Sequence, residues 1–304
     1  FQSLTRGRVE KLVWRGAEEE AVGYLLYPAN YDGTQRYPLV IAQYRQRGFL
    51  RGGVGDEVPI PVLAANGFLV LSFDRPESWD IFEVEGDAIE AEVYEWDGFR
   101  ERENALNALV EFIDVLDARG IIDPAKVGIT GLSDGVETLW YAMIHSPHRF
   151  ATAIASSGGW SPSYYYRASA ATRAGYLGRS AGLEAPGASA AGDARWRHIS
   201  PEFHATTINT PILIHVADRE LLTAVPMYGA LEHAGKAVEM YVFPNEHHIK
   251  WQPKHRAAIY ERNVDWMNYW LRDVEDPNPE KAAQYVRWKK LRELKGETLE
   301  KATQ

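Results

Sequence analysis

Val127-Gly-Ile-Thr-Gly-Leu-Ser133-Asp-Gly-Val-Glu-Thr-Leu-Trp-Tyr-Ala-Met-Ile-His145 decides the architecture of this chain. Its first part is an apolar run of strand length. Its second part is an apolar run of helix length, closed by Ser146-Pro147. Between them lies Gly131-Leu-Ser-Asp-Gly135, a G-x-S-x-G in the strand–turn–helix context that a nucleophile elbow requires. Such a turn is so tight that side chains at the glycine positions would collide with neighbouring backbone, and the serine is pushed out at the top of the sheet. The helix starting behind it aims free N–H groups and its positive dipole end at charge developing near Ser133.

Working outward, Val9–Trp14 and Val22–Tyr27 read as an opening pair of strands, and Tyr37–Tyr44 as a buried strand entered through Pro38. Phe68–Asp74 reads as another, behind a short helix at Ile60–Asn66. Ala105, Leu109, Phe112 and Leu116 recur on one helical face and predict a helix over about Arg100–Arg119, ended by Gly120. Further strands are expected at Phe150–Ser156, Pro211–Ala217 and Glu239–Phe243. A helix at Arg256–Leu271 follows, then a break at Asp276-Pro-Asn-Pro279 and a charged C-terminal helix. This alternation predicts an α/β protein with a mostly parallel central sheet flanked by helices, residues 1–304 forming one domain. The stretch 157–209, rich in Ala, Gly, Ser and Tyr, is longer than a strand-to-helix connection needs and is expected to be an irregular, lid-like insertion.

Composition narrows the chemistry. With no cysteine, disulfides, thiolate nucleophiles, zinc–thiolate sites and iron–sulfur clusters are excluded together. No run approaches the ~20 apolar residues of a membrane span, and FQSLTRGRVEKLVWRG has no apolar signal core. Cytoplasm is preferred over periplasm, with the compartment left open. The net charge is −9, and nine carboxylates from Glu77 to Asp97 stand without a Lys or Arg among them. Nucleic acid is a poor partner for such a chain. The run reads as a solvated segment, and Arg45, Arg47 and Arg51 are expected to pair with it in preference to substrate carboxylates.

A serine hydroxyl needs a base, and the base an orienting carboxylate. In this architecture the order is Ser, then Asp or Glu, then His. Asp218 lies just past the strand Pro211–Ala217, and His247 and His248 lie in the loop after the last strand, so all three elements sit at C-terminal strand ends. Spacing leaves the choice between the two histidines open. The other seven histidines lie at helix ends, in a strand or in the insertion, without metal-ligand spacing, and no metal is expected.

Arg119-Gly-Ile-Ile-Asp-Pro-Ala-Lys-Val-Gly-Ile-Thr-Gly-Leu-Ser-Asp-Gly135, Ile214-His-Val-Ala-Asp218 and Phe243-Pro-Asn-Glu-His-His248 resemble the catalytic domain of the prolyl oligopeptidase family of serine peptidases. The resemblance implies an α/β-hydrolase fold. It selects His248 as the base and Asp218 as the acid, and it makes Tyr44 an oxyanion donor beside the backbone N–H of Asp134. Within the family, Tyr44–Glu57, Leu71–Pro76, Gly131–Thr138 and His248–Arg256 are similar to lasso peptide isopeptidases. That likeness implies a lasso peptide substrate, opened at its isopeptide bond through an acyl-enzyme to the linear peptide, with no cofactor. Trp160, Tyr164, Tyr165 and Tyr166, close after a strand end, are expected either to wall the substrate's acyl-side residue or to pack within the lid. Trp160 and Tyr164 are candidate substrate contacts, together with Lys250 and Trp251 beside His248. Such enzymes carry an N-terminal β-propeller, and no propeller-type repeats occur here. The rival expectations are a conventional oligopeptidase, dipeptidyl peptidase or esterase of the same family, and a catalytically silent binding module.

Overall fold

A computed structural model describes residues 7–16, 19–44, 58–78 and 97–302. Eight strands make one sheet, in the order β1 (Val9–Arg15), β2 (Glu19–Leu26), β4 (Leu69–Ser78), β3 (Tyr37–Tyr44), β5 (Ile122–Leu132), β6 (Thr152–Ser156), β7 (Ile212–Ala217), β8 (Val238–Phe243). The pairs β1–β2 and β2–β4 are antiparallel, and from β4 through β3 to β8 every pair is parallel. Both faces of the parallel part are covered. Leu39 and Ile41 of β3 join one apolar cluster while Val40 and Ala42 join the other. This period of two, with both phases apolar, is why the central strands read as unbroken hydrophobic runs.

Helices α1 (Ile60–Ala65), α2 (Arg100–Ala118) and α3 (Asp134–His145) connect the early strands. α2 and α3 bury Leu109, Phe112, Leu139 and Met143 in the first cluster, as does α6 (Leu221–His233) through Met227 and Leu231. α1 lies on the opposite face with α7 (Pro253–Arg272) and α8 (Ala282–Ala302), where Trp266, Tyr269, Tyr285 and Trp288 pack. Tight crossings are met by small residues. At Gly128 a Cβ would fall 2.6 Å from the Met267 sulfur.

The expected irregularity of 157–209 is corrected. That segment contains α4 (Pro162–Arg167), a short helix at Ala170–Thr172 running into Arg173–Ser180, and α5 (Ala190–Ile199). Its serines are the reason. Ser161, Ser169 and Ser189 cap these helices by accepting the backbone N–H of Ser163, Thr172 and Gly192. Leu177, Leu183 and Trp196 are fully buried, so the segment has its own apolar anchor on the domain. Arg45, Arg47, Arg51 and residues 79–96 of the acidic run lie outside the described residues. Among the described residues no helix is long and apolar enough to cross a membrane.

Candidate active site

β5 ends at Leu132 and α3 begins at Asp134, leaving Ser133 alone in the turn at φ 58°, ψ −126°. A side chain pays strain energy in this region, and the surrounding contacts hold it there. A Cβ at Gly131 would strike the Gly135 carbonyl, and one at Gly135 would lie 2.8 Å from Tyr44 Cβ. Both motif glycines are therefore required by close backbone approach. The first turn of α3 is pinned from beneath: Arg75 and Arg102 both hold the Asp134 carboxylate, and Arg102 also reaches Thr138 Oγ1 at 3.0 Å. Burial pushes the Asp134 carboxyl up, but the two guanidinium charges and their hydrogen bonds outweigh it and keep it below the ordinary range.

Ser133 opens onto a cavity of about 220 Å³, lined also by Asp134, Glu137, Ser157–Trp160, Tyr164, Glu220, Thr223 and His248. Trp160 is buried and Tyr164 half-buried in this wall, where the aromatic lining was expected. Tyr44 ends β3 against the elbow at φ 117°, its ring 5.3 Å from the Arg75 guanidinium.

The acid expected beside His248 is corrected. Asp218 does not meet the imidazole. Its two oxygens accept the backbone N–H groups of Arg219 (2.9 Å), Asn245 (2.8 Å) and Glu246 (3.3 Å), and these hydrogen bonds depress its carboxyl. Glu220, two residues on, places Oε1 2.6 Å from His248 Nδ1. Asp218–Glu220 is a single 3-10 turn, in which successive side chains diverge by roughly 120°, so one carboxylate faces the loop backbone and the other the imidazole. Burial pushes the Glu220 carboxyl up. The hydrogen bond from His248, the nearby Ser157 hydroxyl and the charges of His248 and Lys250 outweigh that effect and leave it below its ordinary value. His247 is exposed to solvent.

Lys250 is also corrected. Expected on the substrate side, it is fully buried behind the site, whereas Trp251 stands 69% exposed. The loop carrying His248 is organised by Glu246, a buried carboxylate that accepts the Trp251 and Gln252 N–H groups at 2.9 Å and meets His255 Nδ1 at 2.8 Å. Sequence reading passed over Glu220, Glu246 and Glu137. The first two stand in the quoted stretches or next to them, and the third lies one helical turn beyond Ser133.

Glu137 lines the cavity and receives the Gly159 N–H at 2.8 Å and that of Trp160, tying the wall loop to α3. Burial is the largest influence on its carboxyl and pushes it up to about 8. Between about pH 4.3 and about 8 the folded chain therefore holds a proton here that the unfolded chain, with a carboxyl near ~4.3, has released. Unfolding then releases a proton, and this group's contribution falls as pH rises from the ordinary carboxylate range through about 8. Glu137→Gln, which keeps the acceptor oxygen, should leave Tm near wild type at about pH 5 and raise it by several degrees at about pH 8.5. An equal change at both pH values in thermal melts would rule this out. Among the described residues no group of three or more His, Asp or Glu side chains could hold a metal ion.

The chain belongs to the prolyl oligopeptidase family, whose model matches residues 94–274. More particularly, it is 44% identical over 289 residues to the lasso peptide isopeptidase AtxE2 of Asticcacaulis excentricus, covering 95% of this chain and 41% of that protein. A solved structure of an AtxE2 variant with Astexin3-dC4 bound superposes with a TM-score of 0.86 at 43% identity, covering 96% of this chain and 44% of that one. The acylaminoacyl peptidase of Pyrococcus horikoshii, at 18% identity and a TM-score of 0.69, covers 92% of this chain and 44% of its own, and shares the fold. This chain thus spans less than half the length of these relatives.

Proposed function

We propose that this chain hydrolyses the isopeptide bond of a lasso peptide by acyl transfer to Ser133. The observation that carries the reading is the convergence of Ser133 and the His248–Glu220 pair on one cavity, in a chain 44% identical to a lasso peptide isopeptidase over nearly all its length. In this mechanism Ser133 Oγ attacks the acyl carbon, an Asp or Glu side-chain carbonyl of the substrate, as His248 takes the hydroxyl proton. Glu220 accepts the Nδ1–H of His248, fixes its tautomer and stabilises the imidazolium. The oxyanion is met by the backbone N–H of Asp134, whose turn the Arg75–Arg102 clamp holds still, and by the Tyr44 phenol. His248 returns its proton to the departing amine, which is the N-terminus of the peptide. A water, activated in the same way, then releases the acyl group and leaves a linear product with a free carboxylate and a free amine.

The test is mass spectrometry of a threaded lasso peptide after incubation with the chain. A gain of ~18 Da with a linear fragmentation pattern is the expected result, absent with Ser133→Ala. An unchanged peptide, from a protein that a fluorophosphonate probe does label at Ser133, would restrict the reading to a general serine hydrolase.

The aromatic wall should discriminate between substrates. A threaded ring needs a broad contact surface, whereas a small ester needs only the nucleophile, its base and the oxyanion hole. Tyr164→Ala should therefore cost about tenfold or more in kcat/KM for the threaded peptide and less than about threefold for the ester. Equal losses on both would assign Tyr164 to site support instead.

A further inference from the structure

Lys250 is fully buried, where an ammonium is costly unless its donors and its charge are both answered. Its Nζ donates to Ser156 Oγ at 2.7 Å, to Ser157 Oγ at 2.7 Å and to the His248 carbonyl at 3.4 Å. An ammonium has three N–H donors, and here each has an acceptor. A serine hydroxyl that accepts from an ammonium keeps its own proton for another acceptor, and the Ser157 hydroxyl lies on the cavity wall with Glu220, whose carboxylate it and the Lys250 charge help to keep ionised. Ser157 is held at φ 49°, a conformation that non-glycine residues seldom adopt, with its N–H on the His215 carbonyl at 2.9 Å. At the other end, the Lys250 carbonyl accepts from Arg256 Nε at 3.1 Å and Nη2 at 2.8 Å, anchoring this loop to α7. A chain of contacts therefore runs from α7 through the buried Lys250 to Ser157 and His248, which line the cavity.

We propose that Lys250 is a positioning residue of the hydrolytic site: its buried ammonium ties the Ser157 hydroxyl to the His248 carbonyl and so sets the height of the His248 loop, and with it the meeting of His248 with Glu220. This rests on the hydrolase reading above. It goes beyond a scaffold role because one side chain holds both the cavity wall, at the Ser157 hydroxyl, and the base, at the His248 carbonyl. Removing the ammonium frees the Ser157 hydroxyl and the His248 carbonyl from their common donor and takes a nearby positive charge away from Glu220.

The test is Lys250→Met in the full chain, which keeps side-chain length and removes the charge, with two readouts on folded protein. The first is the strongly deshielded Nδ1–H proton resonance of the His248–Glu220 hydrogen bond in the NMR spectrum. It should be present in the parent chain and lost or moved upfield in the variant. The second is hydrolysis of a small ester, with kcat down ~10²-fold, the cost typical of a misplaced catalytic group, and KM within about threefold. Should Lys250→Met fail to fold, Ser157→Ala carries the same test, with the resonance weakened and kcat down about tenfold. Unchanged resonance and kcat in a folded variant overturn the proposal. The resonance does not depend on turnover. A parent chain that shows it yet resists fluorophosphonate labelling would therefore sink the hydrolase reading while leaving the effect of Lys250 on the pair measurable.

Discussion

Ser133→Ala is expected to lower kcat by ~10⁴–10⁶-fold on peptide and ester alike, because the base and acid have nothing to activate once the hydroxyl is gone. Its Tm should stay within about 3 °C of the parent, since Ser133 is half-exposed at the mouth of the cavity and no core packing is lost. Relief of strain at φ 58° does not enter, because alanine carries the same Cβ. The measurement is steady-state hydrolysis beside a thermal melt. A variant that keeps more than about a tenth of its turnover would take the nucleophile away from the elbow.

The second large effect separates two carboxylates that sequence alone cannot tell apart. Glu220→Gln should cost ~10²–10⁴-fold in kcat, because an amide facing Nδ1 no longer stabilises the imidazolium and can hold the wrong tautomer. Asp218→Asn keeps an acceptor for only one side, either Asn245 or Arg219 and Glu246, but the imidazole loses no partner, so kcat should change by less than about tenfold. Its cost falls on the loop instead. The Asp218 carboxyl is depressed in the folded chain, so its contribution is present above the ordinary carboxylate range and fades as pH drops. If Asp218→Asn proved the more damaging to turnover and Glu220→Gln the milder, the acid would return to Asp218, and the 2.6 Å contact of Glu220 with His248 would be incidental.

Several features of this molecule are local, and the sequence carries them. Alternating apolar runs of strand and helix length specify a parallel sheet covered on both faces, because every central strand must be apolar in both phases. The two glycines around Ser133 specify the elbow, because only backbone without a Cβ fits there. The motif Phe243-Pro-Asn-Glu-His-His248 places two histidines in the right loop. What the sequence conceals is direction. Asp218 and Glu220 are both acidic, both follow β7 and both precede the histidine loop. Only the winding of one 3-10 turn decides that Glu220 meets the imidazole while Asp218 ties down the loop backbone. Lys250 reads as a substrate contact beside the base, and only the packing of β6 against that loop turns it inward onto Ser156 and Ser157. Glu137 carries no signal in the sequence, and only the approach of the Gly159 backbone makes it a half-buried carboxyl on the cavity wall. Periodicity and turn chemistry act between residues near one another in the chain, so composition and spacing settle them. The orientation of a buried charge depends on partners brought from distant strands, and the tertiary structure alone supplies them.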